Sequence, residues 1–357
     1  MQEIVLCFVT AFSLTYFAIP PIITIALEKN LCDQPGERRS HITPTPSLGG
    51  IAMFGGILFS LLLWTPMEIF GNLQYIFCSF ILIFLIGAKD DISPVAPSKK
   101  IGAQFIAAII LAFKSNIQLT SLYGLAGYHG PLPELVAGAL SVFTILVIMN
   151  AFNLIDGING LAGSVVALVT GTLGCWFYMA GHMEYTILAF STTGAVLSFL
   201  RYNLTPAKIF MGDTGSLILG MICAILIIKF IDLNEALASD VAFRFDAIPV
   251  VAIGIMVIPL FDTLRVFTTR ILRGKSPFEA DRRHIHHLLI DYGLNHMQAT
   301  GALIFINVLF IVLVFSLDKM LNMHLLLILI LTLAGGATLW LHRAVINKRK
   351  TDQLNTH

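Results

Sequence analysis

Phe210-Met211-Gly212-Asp213-Thr214-Gly215-Ser216 leads without a break into Leu217-Ile218-Leu219-Gly220-Met221-Ile222-Cys223-Ala224-Ile225-Leu226-Ile227-Ile228. An acid and four hydroxyl or glycine positions stand at the head of a run with no polar side chain. Such a run is long enough, with its flanks, to cross a hydrocarbon core of ~30 Å as a helix. Its polar head then sits at a membrane-water boundary. The Asp has two readings at this point: a helix N-cap, or an oxygen ligand for a hard cation beside a ring, Phe210, on which a base could stack.

Working outward, similar apolar stretches recur along the whole chain. Eleven are centred near Phe12, Leu58, Phe80, Ile110, Thr144, Leu168, Val196, Ala224, Ile255, Leu309 and Ile330. The composition agrees: 57% of residues are hydrophobic and 12% charged, too few charges for a soluble chain of this length to cover its core. The expected fold is an all-α polytopic membrane protein of about eleven transmembrane helices. Residues 1–345 form one integral membrane unit and 346–357 a basic, polar tail. The first stretch lacks a basic leader and a small-residue cleavage site and is expected to be retained as a span. The fourth has a clean run only from Ile101 to Phe113. Pro20 and Pro21 are expected to kink or shorten the first span, and Pro259 the ninth.

Charge gives the orientation. Of 22 Lys and Arg, eighteen fall in one set of loops and the tail, and four (Lys114, Lys229, Arg244 and Lys319) on the other side. The positive-inside rule puts the larger set in the cytoplasm, the N-terminus outside and the C-terminus inside. A net charge of +1 gives no reason to expect a nucleic-acid partner. The five cysteines show no metal-type spacing, and packing is the expected role for them.

The uncommon side chains sort to the cytoplasmic side. Asp90 and Asp91 close the third stretch, and a carboxylate pair there suits a divalent cation or phosphate chemistry, or simply a solvated loop start. Lys99 and Lys100 follow as point charges for phosphates, or as positive-inside markers. Asn150 to Gly160 sets Asn153, Asp156 and two glycines between two spans, either as helix caps and a turn or as a ligand-facing loop. Arg282-Arg283-His284-Ile285-His286-His287 suits an anion held by guanidinium forks and imidazoles, against a plain basic loop near anionic headgroups. A transporter or flippase would instead place ionisable groups near the bilayer midplane, where this chain has few; Asp262 and Arg265 are the ambiguous pair. A scaffold would have no reason to gather carboxylates, His and Arg on one face.

Taken in order, these strings resemble the polyprenyl-phosphate N-acetylhexosamine-1-phosphate transferase family, in its WecA/TagO-like branch. The strings are Asp33-Gln34-Pro35 with Arg38 and His41, Leu48-Gly49-Gly50, Gly87 to Asp91, Asn150 to Leu161, Phe210 to Ser216, and Gly274 to Phe278 leading to the histidines. The resemblance implies a Mg²⁺-dependent enzyme of the bacterial inner membrane, with Mn²⁺ as a substitute and the active site facing the cytoplasm. It would move N-acetylhexosamine 1-phosphate, N-acetylglucosamine foremost, from a UDP-sugar to undecaprenyl phosphate. UMP would be released in the first membrane step of a cell-surface glycan. It assigns Asp90 and Asp91 to catalysis and, with Asp213, to the metal. Asn153, Asp156 and Phe210 go to the nucleotide, and Arg282, Arg283, His284, His286 and His287 to phosphate or sugar. Arg38, His41 and Lys99 are further candidates, and a homodimer is left open. Two departures matter. Asn159 stands where many members carry an acid, so it is excluded from metal binding. Ile285 interrupts the histidines, which argues against the muramoyl-pentapeptide branch.

Overall fold

The computed structural model describes residues 1–33, 44–274 and 284–355. Arg38, His41, Arg282 and Arg283 therefore lie outside the described residues. The helices are α1 (Gln2–Glu28), α2 (Gly49–Trp64), the single turn α3 (Met67–Phe70), α4 (Gln74–Ile92), α5 (Pro97–Lys114), α6 (Glu134–Ile155) and α7 (Leu161–Met179). They continue with α8 (Met183–Asn203), α9 (Gly212–Glu235), α10 (Ile248–Ile255), α11 (Val257–Ile271), α12 (Ile285–Tyr292), α13 (His296–Leu317) and α14 (Met323–Asn355). The one sheet among the described residues is a two-residue antiparallel ribbon pairing Cys32–Asp33 with Thr45–Pro46.

All eleven expected centres fall in helices. By length and composition, seven of these helices can cross a membrane, or eight with α10 and α11 taken as one bent span. The other three are α2, which has 16 residues, and α4 and α5, each carrying three charges at its ends. The chain is thus a multi-pass membrane protein. Large apolar side chains such as Phe17, Phe305, Leu325 and Leu339 are exposed on α1, α13 and α14, as lipid-facing positions require.

α9, the helix opened by Phe210 to Ser216, is the axle of the bundle. It packs against α2, α4, α6, α7 and α10, and every residue from Thr214 to Ile231 is buried. α1 lies outside against α2 and α8, and α5 fills the gap between α4 and α6.

The prolines behave in two ways. Pro20 and Pro21 sit inside one helix that still runs to Glu28, so they do not shorten the first span. The ninth stretch does break: α10 and α11 meet at Met256 with a bend of 87°. Pro259 has no N–H for the Ile255 carbonyl one turn back, and its ring clashes with that carbonyl. Asn307 of α13 takes over the freed groups. Its Nδ2 donates to the Ile255 carbonyl at 3.0 Å, and its Oδ1 accepts from Ile258 N at 3.4 Å.

Candidate active site

Three motifs far apart in sequence are clasped at one end of the bundle. Gly49 N and Gly50 N donate to the carbonyls of Phe210 and Met211, each at 2.9 Å. A Cβ on Gly50 would fall 2.2 Å from Gly215 N, and one on Gly87 2.6 Å from Thr214 Cα. α2 and α4 therefore meet the start of α9 backbone to backbone, a separation only glycine permits.

Asp91 completes the clasp. Its Oδ1 accepts from Asp213 N at 2.6 Å, and its Oδ2 from Thr214 N at 3.0 Å and Thr214 Oγ1 at 2.5 Å. These N–H groups belong to the first turn of α9 and have no partner within the helix. Asp91 thus caps α9 from another helix, and both of its oxygens are taken.

That frees Asp213. The helix opens at Gly212, and no residue of α9 caps it through a side chain, so the capping reading of Asp213 is replaced. Its carboxylate instead meets Lys100 Nζ, and its Oδ1 accepts from Asn153 Nδ2 at 2.5 Å. Asn153 Nδ2 also donates to Ser216 Oγ at 2.9 Å. Asp90 joins from α4, its Oδ2 3.2 Å from Lys100 Nζ and its Oδ1 accepting from Val95 N at 2.6 Å. Lys100 therefore sits between two carboxylates. Lys99, the sequence candidate, is exposed and one position off that face.

Asp156 follows α6 directly. Its carboxyl is pushed up to about 7 by burial and by the negative charges of Asp213 and Asp91. Asp156, Asp213 and Asp91 thus feel one another at the head of α9, and of the three Asp213 is paired with Lys100. Phe210 is half-buried, and its backbone is held between Pro46 O and Gly49 N.

The histidines lie next door. Asp262 of α11, 1% exposed, accepts from Arg265 at 2.9 Å, from Ile285 N at 2.9 Å and from the His284 ring at 2.8 Å. This is an anchor for the histidine segment, which answers the ambiguity of Asp262 and Arg265. His286 is buried, and among the described residues neither ring nitrogen has a hydrogen-bond partner. Burial, with help from His287 and His284, pushes it down to about 3, so it is neutral at neutral pH. Its ring lies on the loop between α6 and α7, where a Cβ on Gly157 would fall 2.3 Å from Nε2. Of the three rings, half-buried His287 is the most accessible to a ligand. The end of α6 and the loop that follows it therefore touch both clusters, through Asn153 to Asp213 and through Gly157 to His286.

Gly157→Ala should displace the His286 ring. We expect a loss of at least ~10-fold in turnover, about 1.4 kcal/mol, with little change in overall helicity by circular dichroism. Wild-type turnover in that variant would show that the loop contact is incidental.

Among the described residues, no three His, Cys, Asp or Glu side chains are arranged to hold a metal by themselves. Mg²⁺ does not ask for such a cage. It takes one or two carboxylates and fills its octahedron with water and substrate phosphates. Asp90 and Asp213, already converging on the ammonium of Lys100, are a donor set of that kind, so the residues fit the ion.

The glycosyl transferase family 4 model matches residues 73–231, a span that contains Asp90, Asp91, Lys100, Asn153, Asp156 and Asp213. A Yersinia pestis protein named undecaprenyl-phosphate alpha-N-acetylglucosaminyl 1-phosphate transferase is 30% identical over 302 residues, 82% of this chain and 78% of its own length. The protein of that name from Escherichia coli K12 is 30% identical over 77% of this chain and 73% of its own. A Bacillus subtilis protein named as a probable undecaprenyl-phosphate N-acetylglucosaminyl 1-phosphate transferase is 32% identical over 87% and 84%.

Proposed function

This chain belongs to glycosyl transferase family 4, and from that premise we propose that it transfers a sugar 1-phosphate from a UDP-sugar to undecaprenyl phosphate, releasing UMP. The sugar we infer is N-acetylglucosamine, as in the names of its relatives. The observation that carries the reading is the meeting of Asp90, Asp213, Asn153 and Lys100 at one end of the helix bundle. A secondary transporter would need such groups near the bilayer midplane.

Asp213 and Asp90 would hold Mg²⁺, with Mn²⁺ as a substitute; the ion would neutralise the pyrophosphate and stabilise the departing UMP oxygen. Lys100 brings a point charge to the phosphates. Asn153 fixes one oxygen of Asp213 and so sets the direction of the other. Asp91 is a positioning residue that holds the head of α9 in place. Asp156 and Phe210 lie on the uridine side. His287, with Arg282 and Arg283, meets the sugar or its phosphate, while Asp262 orients His284. Each group acts by orientation and charge, which suits phosphoryl transfer.

The test is purified protein with undecaprenyl phosphate, Mg²⁺ and a panel of UDP-sugars. UMP release is expected with UDP-N-acetylglucosamine, dependent on the lipid. No UMP with any donor would return the protein to the transporter reading.

The site is proposed to face the cytoplasm, on the charge asymmetry of the loops. A single cysteine replacing Asp281 in a cysteine-free background should resist a membrane-impermeant thiol reagent in intact cells and react in inverted vesicles. Labelling in intact cells would reverse the orientation.

A further inference from the structure

A second polar feature lies at the opposite end of the bundle. α7 starts right after the loop that carries Asp156 and Gly157 and runs 19 residues away from it, about 28 Å at 1.5 Å per residue. At its far end is a cavity of about 520 Å³. Trp176 and Met179 of α7, Phe315 of α13, Asp318 and Lys319 just beyond α13, and Arg244 from the α9–α10 connection line it.

The charge pattern of the sequence assigns four Lys and Arg to this face, and two of them meet here. Of the others, Lys229 is paired with Asp232 at 3.3 Å. Arg244 and Lys319 are different. Among the described residues neither has a carboxylate within ion-pair distance, and Arg244 Nε is buried without a hydrogen-bond partner. Asp318 shares the cavity and offsets one charge, but its carboxylate is spent on Asp246 N at 2.9 Å and Ala247 N at 2.8 Å. The indole of Trp176 is spent too, donating to the Phe243 carbonyl at 3.0 Å. A buried, unpaired guanidinium nitrogen is costly unless a partner arrives.

The walls say what kind of partner. Trp176 is buried, whereas Met179 and Phe315 are 54% and 40% exposed, so the cavity opens onto the apolar, lipid-facing surface. Two donors at the water end and an aromatic wall running toward lipid suit an amphiphile with a negative head. A free anion would gain nothing from that wall. We propose that this cavity binds the phosphate of an anionic phospholipid, with Arg244 and Lys319 on the headgroup and the chain along Met179 and Phe315. The site is separate from the transfer reaction and stands whether or not that reading is correct.

The probe is phosphatidylglycerol, titrated into the full-length protein in detergent and read by native mass spectrometry, with phosphatidylcholine as the zwitterionic control. Arg244→Gln with Lys319→Gln should weaken phosphatidylglycerol binding by about tenfold or more, as expected for charged hydrogen bonds, and remove the preference over phosphatidylcholine. Equal affinity in wild type and variant would overturn the site. Competition by millimolar inorganic phosphate, with no preference among lipids, would assign the cavity to a free anion and also overturn the proposal. A second measurement does not depend on the charge variants folding. The chain has three tryptophans, so Trp64→Phe with Trp340→Phe leaves Trp176 as the sole tryptophan, excited selectively beyond the tyrosine band. Brominated phosphatidylglycerol should quench it several-fold more than brominated phosphatidylcholine, and equal quenching would sink the proposal.

Discussion

Asp213→Asn should lower turnover by at least ~10³-fold, equivalent to about 4 kcal/mol of lost transition-state stabilisation, and raise the Mg²⁺ concentration needed for half-maximal rate. The change removes one charge and keeps the shape. The amide can still accept from Asn153, whose Nδ2 lies 2.5 Å from Oδ1. The head of α9 is untouched, because Asp91 and not Asp213 satisfies its first N–H groups. Thermal stability should therefore stay near that of the wild type, which separates this variant from Asp91→Asn, where the clasp between α4 and α9 is cut. Partial loss of turnover with an unchanged Mg²⁺ dependence would mean that Asp213 serves only to hold Lys100 and Asn153. Full activity would remove the aspartate from the site altogether.

The helices are legible because an apolar run of membrane length finds enough apolar surroundings only in a bilayer or a fully buried core. Even the break in the ninth run is marked by Pro259. The repair by Asn307 is not, since it needs a neighbour 52 positions away. The carboxylates are visible as a group, but their division of labour is not. Asp90 and Asp91 are adjacent at a helix end, and only the packing of α4 on α9 shows that one caps a foreign helix while the other faces a cation. Lys100 rather than Lys99 follows from periodicity. Lys100, Gln104, Ala107, Ala108 and Leu111 keep the spacing of one helix face, and the last four are buried. Two lysines read as a unit hide that face. The burial of His286 also escapes the sequence, because three rings in a basic segment read as three donors, while the fold turns one of them onto Gly157.

The same division of labour bears on how the phosphate is attacked. A covalent route needs a carboxylate oxygen free to reach phosphorus. Asp91 has both oxygens held by the first turn of α9. Asp90 has one on Val95 N and the other facing Lys100. Undecaprenyl phosphate needs no such activation: a phosphate monoester has a second pKa near ~6 and is mostly a dianion at about pH 7. Its difficulty is approaching a pyrophosphate of the same sign, and a divalent cation that Asp90 and Asp213 would hold would lower that repulsion. The two routes part in an isotope experiment. With labelled UMP, UDP-sugar, Mg²⁺ and no lipid, a covalent enzyme would exchange label into the UDP-sugar, as ping-pong chemistry requires. Direct attack predicts no exchange above background under those conditions, and exchange at a rate near turnover once undecaprenyl-pyrophosphoryl sugar is added. Lipid-free exchange that disappears in Asp90→Asn or Asp91→Asn would defeat direct attack and make one of those carboxylates the nucleophile. Exchange that needs the lipid product, in wild type and in a weakened Asp90→Asn alike, would leave Asp90 the role of holding charge in place while the lipid phosphate makes the bond.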